Sequence, residues 1–287
     1  MTSITMPEAL VPLTDAAGRF SMLAIDQRES LRTMIGAVTH DPVTDADLTD
    51  FKTRAAQALT PHASAVLLDR FQGLGAAAVR DPECAFILAA DILHQEPGGP
   101  VTGASLDEDL TVDMIHAHGA DALKMLVPWL PGERDAAIEL AGRFMDLCTA
   151  AGLPGIVEGV VRPHDIASWT DVERNDALVE AAKDLATVRP SLYKAEVPSY
   201  GRGSSAELTT EATRISGQLD CPWVVLSSGV APADFPAAVA ACVEGGADGF
   251  LAGRAVWSDA ISASDVDDFL VTESVRRLRV LSGAETS

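Results

Sequence analysis

The chain has 287 residues, 47% of them hydrophobic and 22% charged, a balance close to the globular average that excludes a disordered or low-complexity chain. Lys and Arg number 21 against 42 Asp and Glu, so the formal net charge is −21, a field that repels nucleic-acid phosphates and anionic lipid. An anionic substrate therefore needs a few placed cations to reverse that field locally.

The four cysteines, Cys84, Cys148, Cys221 and Cys242, have no C-x-x-C spacing and read as buried small hydrophobes in a reducing compartment. No charged stretch followed by an apolar core opens the chain, so no signal peptide is expected. Apolar runs reach only about ten residues, too short to span a bilayer. The expectation is a soluble cytoplasmic protein with no nucleic-acid or membrane partner.

Eight short apolar runs follow in order: 22–26 (MLAID), 65–69 (AVLLD), 84–91 (CAFILAAD), 122–127 (ALKMLV), 155–161 (GIVEGVV), 191–197 (SLYKAEV), 223–229 (WVVLSSG) and 249–255 (GFLAGRA). Each is apolar until its C-terminal end, as a parallel strand buried on both faces should be, and they are labelled β1 to β8. Between them lie helical patterns at 44–59, 105–118, 132–151, 171–188, 205–219, 233–244 and 264–281. The first opens with Thr-x-x-Asp, the second with the acids of SLDED, and Gly152 and Gly245-Gly246 read as C-caps. Eight strands alternating with helices predict a single (β/α)8 TIM barrel over 1–287. An open doubly wound sheet fits less well, because β1 runs into Asp26-Gln27-Arg28 and not into a Gly-rich dinucleotide turn.

In such barrels the chemistry sits at the C-terminal ends of the strands. Residues two apart on a strand share a face, which groups Met22, Ala24 and Asp26; Ala122, Lys124 and Leu126; Ile156, Glu158 and Val160; and Leu192, Lys194 and Glu196. If these sets face the axis, Asp26, Lys124, Glu158 and Lys194 converge in one mouth. Two lysines and two carboxylates inside an apolar barrel are costly unless paired or used. Lys124 reaching solvent, Glu158 as a counter-ion and Asp26 as a strand-end cap are the plain structural alternatives. Asp69 and Asp91 also end strands and read as structural.

Lys194 lies in mid-run, where burial and the neighbouring Lys124 cation both favour the neutral amine that attacks a ketone. Glu158 is the best-placed acid/base group for a β-hydroxy ketone split through an iminium. Ser227-Ser228-Gly229 after β7 and Ala252-Gly253-Arg254 after β8 occupy the positions of the recurrent barrel phosphate site. His40, His62, His94, His116, His118 and His164 form no metal-ligand pattern, and no Gly-x-Ser-x-Gly elbow is present, so neither metal nor cofactor is expected.

LAIDQRESLR (23–32), LYKAEVPSYGRG (192–203), PWVVLSSGV (222–230) and GFLAGRAVWSDAI (249–261), with ALKMLV and IVEGVVRP, resemble the class I tagatose-1,6-bisphosphate aldolase family. The resemblance runs from about residue 10 to 280 and is nearest to the 6-deoxy-6-sulfofructose-1-phosphate aldolases of sulfoquinovose catabolism. It implies Lys194 as the Schiff-base lysine, with Lys124 and Glu158 in the catalytic group. Asp26 and Gln27 then lie beside the sugar, Ser228, Gly229, Gly253 and Arg254 around the phosphate, and Arg28 at the sulfonate end. A homo-oligomer is also implied. One departure is Gly159, where the family has proline after the glutamate, which is expected to loosen the backbone around Glu158.

The function expected is metal-independent cleavage of 6-deoxy-6-sulfofructose 1-phosphate to dihydroxyacetone phosphate and 3-sulfolactaldehyde. The alternatives are the same chemistry on tagatose or fructose 1,6-bisphosphate, and a non-catalytic sugar-phosphate-binding barrel. Arg202 is expected at the rim.

Overall fold

The computed structural model describes residues 6–39, 42–95, 101–162, 169–227 and 229–284. All eight strands form: β1 Phe20–Ala24, β2 Ala65–Leu68, β3 Ala85–Ala89, β4 Ala122–Trp129, β5 Gly155–Val161, β6 Leu192–Glu196, β7 Trp223–Leu226 and β8 Gly249–Ala252. They pair in parallel in a closed ring, each beside its sequence neighbours, with β8 closing on β1. The predicted (β/α)8 barrel is the fold.

Each strand is buried on both faces, which is why its sequence is a continuous apolar run. The inner face packs Phe20, Met22, Leu67, Ile87, Ala122, Ile156, Leu192, Val224 and Leu251 around the axis. The outer face sets Leu23, Phe86, Met125, Val157, Tyr193 and Phe250 against the helices. A short helical segment, Glu8–Leu13, places the fully buried Leu10 and Leu13 in the inner cluster, closing the N-terminal end of the barrel. The Ser64 hydroxyl fastens it by donating to the Leu13 carbonyl at 2.8 Å. The other end stays open for polar side chains.

The helix starts are set by local chemistry. Thr44 with Asp47, Thr170 with Glu173 and Ser204 with Glu207 each form a reciprocal capping box. Arg134–Ala151 ends on Gly152 at φ 66°, the left-handed cap expected there. The last helix is continuous from Val266 to Leu281 but widens into a π turn over Leu270–Ser274.

Two expectations need correction. The helix predicted at 105–118 is shorter, Val112–His118, and begins at the Thr111 cap. Ser105 belongs instead to an antiparallel hairpin of Asp91–Gln95 with Val101–Leu106, so Asp91 opens this hairpin where β3 was expected to end. The acids of SLDED do not feed a helix dipole: Asp107 accepts from the Arg70 guanidinium at 2.9 Å and from the Asp109 N–H at 3.3 Å, making a turn. A helix over Glu29–Thr39 also forms that was not expected, although Leu31, Met34, Ile35 and Val38 carry its spacing. Cys84, Cys148 and Cys242 are buried as expected, whereas Cys221 is only partly so. Among the described residues no helix is long and apolar enough to cross a membrane.

Candidate active site

Strand alternation and register together bring five charged side chains to the open end of the barrel. Glu158 on β5 lies opposite Leu126 on β4 and Lys194 on β6, so the inward residues of three adjacent strands meet at one level. Asp26 arrives two residues beyond the end of β1, and Asp91 two beyond the end of β3, each keeping the parity of the inward residues before it. All five are at most 6% exposed.

The contacts are specific. Lys124 Nζ lies 3.1 Å from Asp26 Oδ2, 3.1 Å from Asp91 Oδ2 and 2.8 Å from Glu158 Oε2. Lys194 Nζ donates to the same Glu158 Oε2 at 3.0 Å. One carboxylate oxygen is thus shared between two lysine side chains. Asp91 Oδ2 also accepts the Leu126 N–H at 3.0 Å, while Arg28 Nη2 takes Asp91 Oδ1 at 2.5 Å.

Burial pulls the Lys124 ammonium toward neutrality, but Asp26, Asp91 and Glu158 outweigh it and hold its pKa well above the ordinary lysine value. Burial likewise raises the Asp26 carboxyl, and the charges of Lys124, Lys194 and Arg28 overturn that, keeping it well below the usual carboxylate range. Lys124 is therefore a fixed cation. Among the described residues Lys194 has only Glu158 as an ion-pair partner, so the two lysines are chemically distinct.

A cavity of about 270 Å³ opens above the cluster. Asp26, Gln27, Lys124, Glu158, Lys194, Gly253 and Arg254 all line it. Gly229 lines an adjoining pocket with Ser227 and Arg254. Ser228 lies outside the described residues. Gly229 is held at φ +75°, where a Cβ would come 2.6 Å from the Tyr200 ring, so the loop after β6 buttresses the turn after β7.

Arg28 goes elsewhere. Its guanidinium also donates to the Asp91 carbonyl, 2.7 Å away, and the side chain lines a separate pocket beside Phe71. Arg28 is thus the charge partner of the buried Asp91, and it stands beside the cavity and not among its lining residues. Arg202 is at the rim as expected, paired with Asp171 and 61% exposed.

Two further residues belong to the site. Asp91, expected to be a structural strand-end aspartate, shares the parity of Ala85, Ile87 and Ala89 and reaches Lys124. Arg162, which follows β5 and lines the cavity, shares the parity of Ile156, Glu158 and Val160. Asp69, by contrast, does not line the cavity: it pairs with the fully buried Lys52 and accepts the N–H groups of Phe71 and Gln72 at 2.9 and 2.8 Å.

The profile of the DeoC/LacD family aldolases matches residues 20–259. The chain belongs to the DeoC/LacD family of aldolases. It is 31% identical over 281 residues to tagatose 1,6-diphosphate aldolase 2 of Enterococcus faecalis, with 88% of this chain and 83% of the relative covered. Tagatose 1,6-diphosphate aldolase 2 of Streptococcus mutans is 28% identical, with 88% and 84% covered. A Schiff-base-forming fructose-1,6-bisphosphate aldolase superposes with a TM-score of 0.65 at 16% identity, over 98% of this chain and 99% of that one. Fructose-bisphosphate aldolase from Slackia heliotrinireducens gives 0.63 at 16%, over 99% and 96%. At that identity the likeness concerns the fold.

In this aldolase β5 lies between the two lysine-bearing strands, and the acid/base candidate it carries contacts both lysines. Such a constellation can hold a ketone between a nucleophilic amine and a proton carrier, in a site where a fixed cation already offsets the carboxylates.

Proposed function

We propose that the protein is a Schiff-base aldolase acting on a ketohexose 1-phosphate, with Lys194 as the nucleophile. The observation that carries this reading is the asymmetry of the two lysines: Lys124 is ion-paired with three carboxylates, whereas Lys194, among the described residues, is ion-paired with Glu158 alone. The neutral Lys194 amine adds to the C2 carbonyl, and water leaves the carbinolamine to give an iminium. Glu158 accepts the proton of the C4 hydroxyl as the C3–C4 bond breaks, the electron pair flowing into the iminium to form an enamine. Protonation at C3 and hydrolysis then release dihydroxyacetone phosphate and free Lys194. Gly229, Gly253 and Arg254 receive the 1-phosphate at the turns after β7 and β8.

For the far end of the sugar, we favour 6-deoxy-6-sulfofructose 1-phosphate, giving 3-sulfolactaldehyde, on the strength of the sequence resemblance. The tagatose 1,6-diphosphate aldolases among the relatives favour the bisphosphate as a second reading. A sulfonate carries one negative charge and a phosphate monoester about 1.5 to 2 at pH 7. Turnover on the 6-sulfonate and on tagatose and fructose 1,6-bisphosphates decides between them, and equal or better use of a bisphosphate overturns the sulfonate. For the chemistry itself, dihydroxyacetone phosphate with borohydride should fix a three-carbon phosphate on Lys194; an adduct on Lys124 would reverse the assignment.

A further inference from the structure

We infer that Arg162, braced by Glu196, recognises the anionic group on the last carbon of the substrate. The inference rests on the Schiff-base reading and adds the residue that sets the substrate class. Arg162 and Arg254 are the two arginines lining the cavity among the described residues. They follow β5 and β8, three strands apart in the ring of eight, and the Lys194 strand lies between them.

A ketose held at Lys194 through its second carbon has a short arm of one carbon and a long arm of four. The long arm contains the bond to be broken, so it must pass Glu158, which accepts the hydroxyl proton. From Lys194 it therefore runs toward β5, and the short arm falls to the side of β7 and β8, where Arg254 stands. Four residues beyond Glu158 on the same strand face is Arg162, about 13 Å further along the strand axis and thus at the mouth.

The guanidinium is positioned there. Arg162 Nη1 donates to the Val161 carbonyl at 2.8 Å and lies 3.6 Å from Glu196 Oε1, while Nε donates to the Val101 carbonyl at 3.3 Å. Glu196 is 1% exposed and also pairs with the buried Arg174, 3.3 Å away, so the three groups carry a formal charge of +1 in a chain of −21. Gln95, on the hairpin that supplies Val101, lines the same cavity and has a buried Nε2 donor with no partner among the described residues. A tetrahedral oxyanion, phosphate or sulfonate, supplies the acceptors that this end needs.

The test compares three ketose 1-phosphates: fructose 1-phosphate, fructose 1,6-bisphosphate and the 6-sulfonate. Arg162→Gln should raise KM about tenfold to a hundredfold for the 6-anionic substrates, as expected for a lost charge-assisted bond, and leave fructose 1-phosphate unchanged. Arg162→Lys should restore part of the loss. Whichever 6-anion shifts more identifies the group the subsite is built for. Gln95→Leu removes the second donor without stranding a charge and should give a smaller change of the same selectivity. An equal loss on fructose 1-phosphate, or no loss on either 6-anion, overturns the inference. Borohydride trapping with dihydroxyacetone phosphate separates the two readings: failure to label the wild-type enzyme sinks the Schiff base, whereas normal labelling with no 6-anion selectivity sinks only Arg162.

Discussion

Tyr193 fills the space that a side chain at residue 159 would need. A Cβ on Gly159 would meet the phenolic oxygen itself, lie 2.9 Å from Cζ, and come 3.2 Å from Leu185 Cδ1. Tyr193 precedes Lys194 and Gly159 follows Glu158, and the register sets Glu158 opposite Lys194. The ring thus wedges two catalytic strands together from their outer face. Glycine at this position does not loosen the backbone, as its sequence suggested; it is the vacancy into which Tyr193 packs.

Gly159→Ala should accordingly push β5 and β6 apart, at a cost of about 1–3 kcal/mol in stability. kcat should fall more than KM changes, because the Glu158–Lys194 distance is what moves. Tyr193→Phe removes the nearest obstructing atom, so the double variant should recover part of the kcat lost in Gly159→Ala. Denaturant midpoints and steady-state kinetics on the three variants check this, and full activity of the alanine variant would refute the coupling.

The two lysines should fail differently. Lys194→Ala is expected to lose both the borohydride adduct and cleavage. Lys124→Ala should keep slow activity displaced to more alkaline pH, because the cation beside the nucleophile is gone while the nucleophile remains. It should also be less stable by about 3–5 kcal/mol, since Asp26, Asp91 and Glu158 lose their common counter-ion. Rate–pH profiles with thermal melts distinguish the two.

Acid stability should run through the same cluster. Burial raises the Asp91 carboxyl, but Lys124 and Arg28 outweigh it, and Asp26 behaves alike, so both lie below the ordinary 3.8 in the folded chain. The folded state then binds fewer protons than the unfolded one. The stability so gained is complete above the ordinary carboxylate range and is lost as pH falls below about 4 toward the folded values. Lys124, shifted upward, contributes fully below about pH 10 and loses its contribution only as pH rises beyond that. Asp91→Asn should lower the plateau of urea stability and flatten its acid arm, and an unchanged arm would contradict this account.

Lys52 and Asp69 form another buried pair, outside the cavity. Burial pushes the Lys52 ammonium below its ordinary pKa while Asp69 opposes the shift. Lys52→Met should strand Asp69 and cost about 3–5 kcal/mol, yet leave kcat per folded molecule intact. Active-site titration with borohydride-trapped adduct normalises for the folded fraction, and a reduced kcat on that scale would draw Lys52 into the chemistry.

The positions of the strands, the capping boxes and the inward parity of Asp26, Lys124, Glu158 and Lys194 were all legible in the chain, because burial on two faces and side-chain alternation are local properties of a strand. The same parity marks Asp91 and Arg162, but both lie just beyond the ends of their strands, where parity alone does not separate a turn residue from a site residue. What the charged groups pair with was decided elsewhere. Arg28 ends on Asp91, 63 residues away, and Glu158 comes to share one oxygen between two lysines through the register of three strands. The hairpin of 91–95 with 101–106 was likewise not legible: its polar residues satisfy no period, and it exists because its two strands pair with each other. Tyr193 and Gly159 read separately as an aromatic in a strand and a flexible glycine. Their complementarity arises only when parallel pairing sets β5 beside β6, since the shape that one residue leaves for another is a property of neighbouring strands and not of either sequence.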